Sequence, residues 1–171
     1  MRVWLGLVFG TAVLTFASAA DPVKPKIDEE ALNTAWKKLE GKWKSLGVTT
    51  PDGGYQEYTR KHCNFDYSLL TRDAFAPIRD GKVLGHPDKF IIIDPTAKAP
   101  SLDWYDNAET LGPHRKCIYR FKDADTLQIV CHDYDWDKRP SDFDIRQRGK
   151  EYPIMFWFER VKDEEKKEPK K

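Results

Sequence analysis

Between residues 28 and 40 the apolar positions fall at helical spacing. Leu32, Trp36 and Leu39 mark one face, with Ala35 beside them. Asp28 stands where an N-cap belongs, and Glu29 and Glu30 fall in the first turn, where the helix dipole favours acid. Gly41 can stop the helix. The spacing therefore predicts one short amphipathic helix over 28–40. Beyond it the rhythm shortens. Pro51-Asp52-Gly53-Gly54 is a turn, and apolar runs follow at Tyr55–Tyr58, Phe65–Leu70, Phe90–Ile93, Cys117–Phe121, Leu127–Cys131 and Ile154–Val161. Turn residues separate them, as in Arg79-Asp80-Gly81-Lys82 and Gly85-His86-Pro87-Asp88. Asp73–Ile78 reads as a helical turn. Many short strands without alternating helices predict an all-β antiparallel sandwich or barrel, not a doubly wound sheet.

The sharpest local expectation is a hairpin over 117–131. Cys117, Tyr119 and Phe121 alternate with Ile118 and Arg120, and Leu127, Ile129 and Cys131 alternate with Gln128 and Val130. Asp123-Ala124-Asp125 makes a three-residue loop. Phe121 then faces Leu127, Tyr119 faces Ile129 and Cys117 faces Cys131, all six on the core side. Opposed cysteines in a non-hydrogen-bonded pair can bridge, so a Cys117–Cys131 disulfide is expected, with Cys63 left over or competing for a partner; the alternative is that all three are small buried hydrophobes.

The chain ends differ from the middle. Arg2, an apolar run from Val3 to Phe16 and the small residues Ala17-Ser18-Ala19-Ala20 have the order of a secretory signal peptide over 1–20, cleaved after Ala19 or Ala20. No other stretch is apolar for long enough to span a bilayer, so no stable membrane insertion is expected after cleavage. Residues 21–27 read as a Pro-stiffened linker, 28–161 as the domain, and 162–171, which lacks any apolar residue, as a charged disordered tail. Losing residues 1–20 removes Arg2 and no acid, so 29 basic residues become 28 against 28 acidic. A chain with no net charge has no long-range attraction to nucleic acid, and none is expected as a partner. Export also permits disulfides.

No familiar catalytic arrangement emerges. There is no G-x-S-x-G, P-loop or G-x-G-x-x-G, and His62, His86, His114 and His132 show no metal-ligand spacing. Cys63 follows His62, but strand neighbours point to opposite faces. Asp133, Asp135 and Asp137 alternate as calcium ligands can, yet Lys138 stands where an EF-hand needs glycine, so a solvated acidic loop is the better reading. Asp103, Asp106 and Glu109 could serve as paired carboxylates, but Asp103 suits an Asx turn better. No enzyme, cofactor or metal site is expected.

Two resemblances emerge from the motifs. Gly41-Lys42-Trp43 after a short helix resembles the lipocalin G-x-W signature, in which the Trp closes one barrel end beneath a late Arg, here Arg160. The chain also resembles the lipocalin-like exported domain of planctomycete bacteria, a family of uncharacterised function. Leu39-Glu40-Gly41-Lys42-Trp43 matches its start. Asp94-Pro95-Thr96, Pro100 and Leu102-Asp103 match its D-P-T…P…I-D segment. Ile118-Tyr119, Asp125-Thr126-Leu127 and Cys131 match its hairpin, Arg139-Pro140-Ser141-Asp142-Phe143 its R-P-T-E-F, and Phe158-Glu159-Arg160 its closing strand. The resemblance spans about 32–161 and implies a lipocalin-like β-barrel with a short N-terminal helix. It supplies no activity, because fold alone does not fix function.

Two expectations about function follow. Trp43, Tyr119, Phe121, Leu127, Ile129, Phe156 and Phe158 share the expected interior, where they would line a cavity for a small apolar or aromatic ligand. Tyr152, Ile154, Phe156, Phe158 and Arg160 share one face of the last strand, with Met155, Trp157 and Val161 on the other. Alternatively the core is filled, and the domain meets an envelope or extracellular protein through Trp104-Tyr105 or the Tyr134–Trp136 loop.

Overall fold

The computed structural model describes residues 28–58, 65–112, 114–132, 137–146 and 153–162. The signal peptide, linker and most of the tail expected from the sequence lie outside these residues, as do His62, Cys63, Asp133, Tyr134, Asp135, Trp136 and Tyr152.

The helix forms where its periodicity predicts. α1 spans Glu29–Leu39, and the Asp28 carboxylate accepts the Glu30 amide at 2.9 Å. Trp36 and Leu39 are buried, and Leu32 and Ala35 pack beside the core. Lys37 and Lys38 occupy the last turn, favourable at the negative end of the dipole. The chain leaves the helix at Gly41 with φ +131°, a conformation open to glycine and rarely adopted by other residues.

Ten strands follow among the described residues: β1 Gly41–Thr49, β2 Tyr55–Glu57, β3 Tyr67–Leu70, β4 Phe75–Arg79, β5 Lys82–Val83, β6 Lys89–Asp94, β7 Ser101–Tyr105, β8 His114–Phe121, β9 Thr126–His132 and β10 Pro153–Arg160. All pairings are antiparallel, in the order β5-β4-β3-β1-β10-β9-β8-β7-β6, with β2 beside β1. Most pairings join strands consecutive in sequence, while β5 and β6 fall at the two ends of the order and β1 and β10 meet in the middle of the sheet. The 117–131 hairpin forms in the expected register, with Phe121 opposite Leu127 and Tyr119 opposite Ile129.

Three segments are not announced as strands by their own apolar pattern. Asp73–Ile78 is not a helical turn; Phe75–Arg79 is a strand, with Ser68 opposite Pro77. Pairing with β3 and burial of Phe75, Ala76 and Ile78 override the weak strand preference of an Ala-Pro step. Gly41–Thr49 carries too few apolar residues to announce a strand, yet β1 lies between β10 and β3. Ser101–Tyr105 holds two polar residues but forms β7, buried on both faces over Ser101–Trp104.

The sheet has two dressed faces. One face joins α1 in a large cluster with Trp43, Leu70, Phe75, Phe90, Ile92, Leu102, Trp104, Tyr119, Leu127, Ile129 and Phe158. The other face of β8–β10 carries a smaller cluster of Ile118, Val130, Met155 and Ile145, covered by Phe143, Ala99 and Trp157. Burial on both faces explains why β9 reads as an almost unbroken apolar run. The sheet curls until β4, next to one end of its order, and β6, at the other, stack Phe75 on Phe90 with ring centroids 4.7 Å apart. Among the described residues a single bridge lies between them, Phe75 to Asp88, with backbone bonds of 2.6 and 3.0 Å. No continuous ladder joins them, so the sheet is not closed.

Candidate functional site

Trp43 and Arg160 meet at the helical end of the sheet. They are opposite each other in the β1–β10 register, and the guanidinium lies over the indole, 4.2 Å from its centroid. The indole is fully buried, and its Nε1–H donates to the Leu39 carbonyl at 2.7 Å. Arg160 Nη1 donates to the Glu40 carbonyl at 2.9 Å, and Nη2 donates to the Lys38 carbonyl. These are carbonyls that the end of a helix leaves without intrahelical partners. The pair therefore clamps the C-terminus of α1 onto the first and last strands. Gly41 lets it approach, since a Cβ there would sit 2.8 Å from Arg160 Nη1.

The residues expected to line a cavity occupy the large cluster together. Tyr119, Leu127, Ile129 and Phe158 are buried, and Phe121, Ile154 and Phe156 pack partly buried against them. Aromatic rings fill the space. Phe75 meets Phe158 edge-on at 5.7 Å, Phe90 meets Trp104 at 5.2 Å, and Trp104 meets Phe156 at 5.3 Å. Burial, with the Asp94 carboxylate adding to it, pushes the Tyr119 phenol up to about 12, so it stays neutral. Trp104 is 8% exposed, which corrects its expected role as a surface anchor. Its Nε1–H bonds the Asp88 carboxylate at 3.0 Å, and its size suits the interior better than solvent. Tyr105 is half-buried and stacks on His114 at 4.9 Å.

Cys117 and Cys131 are buried free thiols, not the expected disulfide. They lie in hydrogen-bonding contact, and burial raises the Cys117 thiol well above its ordinary value. The Cys117 Sγ also donates to the Arg115 carbonyl at 3.3 Å, so its proton is engaged within its own strand.

The carboxylates do not converge. Asp103 is in β7 rather than an Asx turn, because Arg139 holds it there: Nη2 reaches Asp103 Oδ1 at 2.6 Å. Arg139 Nη1 also donates to the carbonyls of Leu102 at 2.8 Å and Cys117 at 2.6 Å. The arginine of the Arg-Pro-Ser-Asp-Phe motif thus pins residues 137–146 across β7 and β8. Asp106 instead pairs with Arg115 at 2.9 Å. Asp88, beside the bridge, is raised to about 6, chiefly because burial disfavours its charge. Asp106 raises it further, while the Trp104 hydrogen bond and Arg115 oppose the shift. No group of three metal-ligating side chains occurs among the described residues. Lys162, expected in the tail, pairs with Asp125 at 2.7 Å.

The pinned segment borders an open hollow. It has a volume of about 600 Å³ on the outer face of β1, β10, β9 and β8. Its floor holds Gln128, Met155 and Trp157, and its wall carries Arg120 and Arg146 together with Asp142 and Asp144. Sequence reasoning missed this site, because its floor uses the face opposite the expected core. The available signal was Gln128, a polar residue inside an otherwise apolar strand. A smaller hollow of about 430 Å³ lies between α1 and Pro95, Pro100, Tyr119 and Phe121. Among the described residues no helix is long and apolar enough to cross a membrane.

No family model, curated protein or solved structure matches the chain.

Proposed function

We propose that the chain is an exported, non-catalytic binding domain: a lipocalin-like barrel with a seam between β4 and β6, a solid interior, and recognition on its outer surface. The single observation that carries this reading is the packing of the interior. Phe75, Phe90, Trp104, Phe156 and Phe158 stand ring against ring at 4.7–5.7 Å. Interiors packed this way leave few voids larger than a water molecule. A lipophile bound inside would have to part those rings. The lipocalin-like kinship rests on the Gly41-Lys42-Trp43 start, the arginine over that tryptophan and the motifs between them. Export rests on the charged, apolar and small-residue order of residues 1–20.

The test is a titration of the mature chain with N-phenyl-1-naphthylamine, followed by fluorescence and methyl NMR. The expected result is no saturable enhancement and unmoved Leu127 and Ile129 methyl signals. One-to-one saturation with shifts at those methyls would overturn the reading in favour of an interior ligand.

A further inference from the structure

The outer hollow over β8–β10 brings a fixed guanidinium beside a fixed indole. We propose that it is a binding site for a small aromatic carboxylic acid, with the carboxylate on Arg120 and the ring against Trp157. The inference rests on the preceding reading only in placing recognition outside the interior.

Arg120 supplies the charge. It leaves β8 on the outward side, and its Nε–H donates to Gln128 Oε1 at 2.6 Å. Its guanidinium lies over the Phe143 ring at 4.4 Å. Both contacts hold the group in place, and neither neutralises it. Gln128 is only 1% exposed, so an amide is buried in a strand where an apolar residue would pack more simply. Its effect here is to fix the Nε edge of Arg120. A guanidinium held through Nε keeps its Nη donors for a planar acceptor, and a carboxylate fits that fork.

The other charges in the wall are accounted for differently. Arg146 Nε is bonded to Asp144 Oδ1 at 3.1 Å. Lys122 stands over the Trp157 ring at 5.2 Å and adds positive charge beside the hollow. The lining also carries Asp142, so its two arginines and two aspartates balance in number, and the preference for an anion rests on the Nη fork of Arg120 with Lys122 beside it.

Trp157 supplies the flat apolar surface. Its Nε1–H is tied to Thr49 Oγ1 at 2.8 Å, and Tyr55 meets its ring edge-on at 6.4 Å. The indole is thus fixed before any ligand arrives, which limits the ordering cost of binding. Met155 and Ile145 complete the apolar lining. About 600 Å³ is within the range of sites that take a small organic molecule. An apolar floor with one fixed charged group is the usual composition of such a site.

The probe is 2-naphthoate, with 2-naphthalenemethanol as the neutral partner of similar shape, titrated into the mature chain by calorimetry and by NMR of the Trp157 Nε1–H. The expected result is saturable naphthoate binding that shifts this signal, with the alcohol weaker by about tenfold, the loss of one charge-assisted hydrogen-bonding fork. Arg120→Met should abolish that preference while the alcohol still binds; the melting temperature should fall because Gln128 Oε1 loses its donor, and an unchanged amide NMR spectrum away from residues 120, 128 and 143 is the fold control. Equal binding of the two probes, or a preference that survives Arg120→Met, would overturn the inference. Shifts confined to Leu127 and Ile129 would overturn it together with the solid-interior reading. No shift anywhere would overturn this inference alone.

Discussion

Replacing Arg160 by alanine removes three contacts at once: the stack over Trp43 at 4.2 Å and the bonds to the Glu40 and Lys38 carbonyls. A cation over a buried indole, itself half open to water, is worth about 1 kcal/mol. Each charged hydrogen bond would contribute more in a dry site, but water can replace these donors, leaving about 0.5–1 kcal/mol each. The expected loss is therefore about 2–3 kcal/mol. With a urea dependence of about 2 kcal/mol per molar, the unfolding midpoint should fall by about 1–1.5 M at unchanged slope. Arg160→Lys keeps the charge but cannot span both carbonyls, and should recover about half of the loss. Gly41→Ala should destabilise the native chain by two routes, its φ of +131° and the 2.8 Å approach to Arg160 Nη1. In the Arg160→Ala background only the backbone penalty remains, so the two changes should couple in a double-mutant cycle. The assay is equilibrium urea unfolding of all five chains by tryptophan fluorescence. A midpoint shift below about 0.2 M for Arg160→Ala, or a lysine variant as stable as the parent, would refute the clamp.

Three further outcomes follow from other contacts. Arg139→Met leaves the largely buried Asp103 carboxylate without its partner and should cost about 2–4 kcal/mol in urea unfolding; adding Asp103→Asn should restore part of it, and strict additivity would contradict the pairing. Asp88 has its folded value raised to about 6 from 3.8, so the folded chain binds the extra proton: the group should favour folding as pH falls from about 6 towards 4 and lose that contribution as pH rises through 6. Asp88→Asn, which keeps an acceptor for Trp104, should flatten this part of the stability–pH curve relative to the parent; identical curves would refute the assignment. Cys117 and Cys131 should resist maleimide in the folded chain and label fully in urea, read by peptide mass spectrometry, and rapid native labelling of either would contradict their burial.

The sequence by itself determined the parts of the molecule whose partners are close along the chain. α1 was legible because its cap, its acidic first turn and its apolar face all lie within 28–40. The 117–131 hairpin was legible because alternation on both strands and a short loop admit one register. Trp43 and Arg160 could be named only through a motif resemblance, since 117 positions separate them. Tertiary structure alone decided the rest. Gly41–Thr49 becomes a central strand because neighbours on both sides satisfy its backbone, not because its own residues favour one. Phe75–Arg79 is extended because β3 pairs with it. Asp103 faces Arg139 rather than a turn, across 36 positions. The outer hollow exists because that ion pair ties a loop over the reverse face of the hairpin. Local periodicity records which face of a segment avoids water. It carries no information about which distant segment will cover that face, and at each of these places the covering segment set the result.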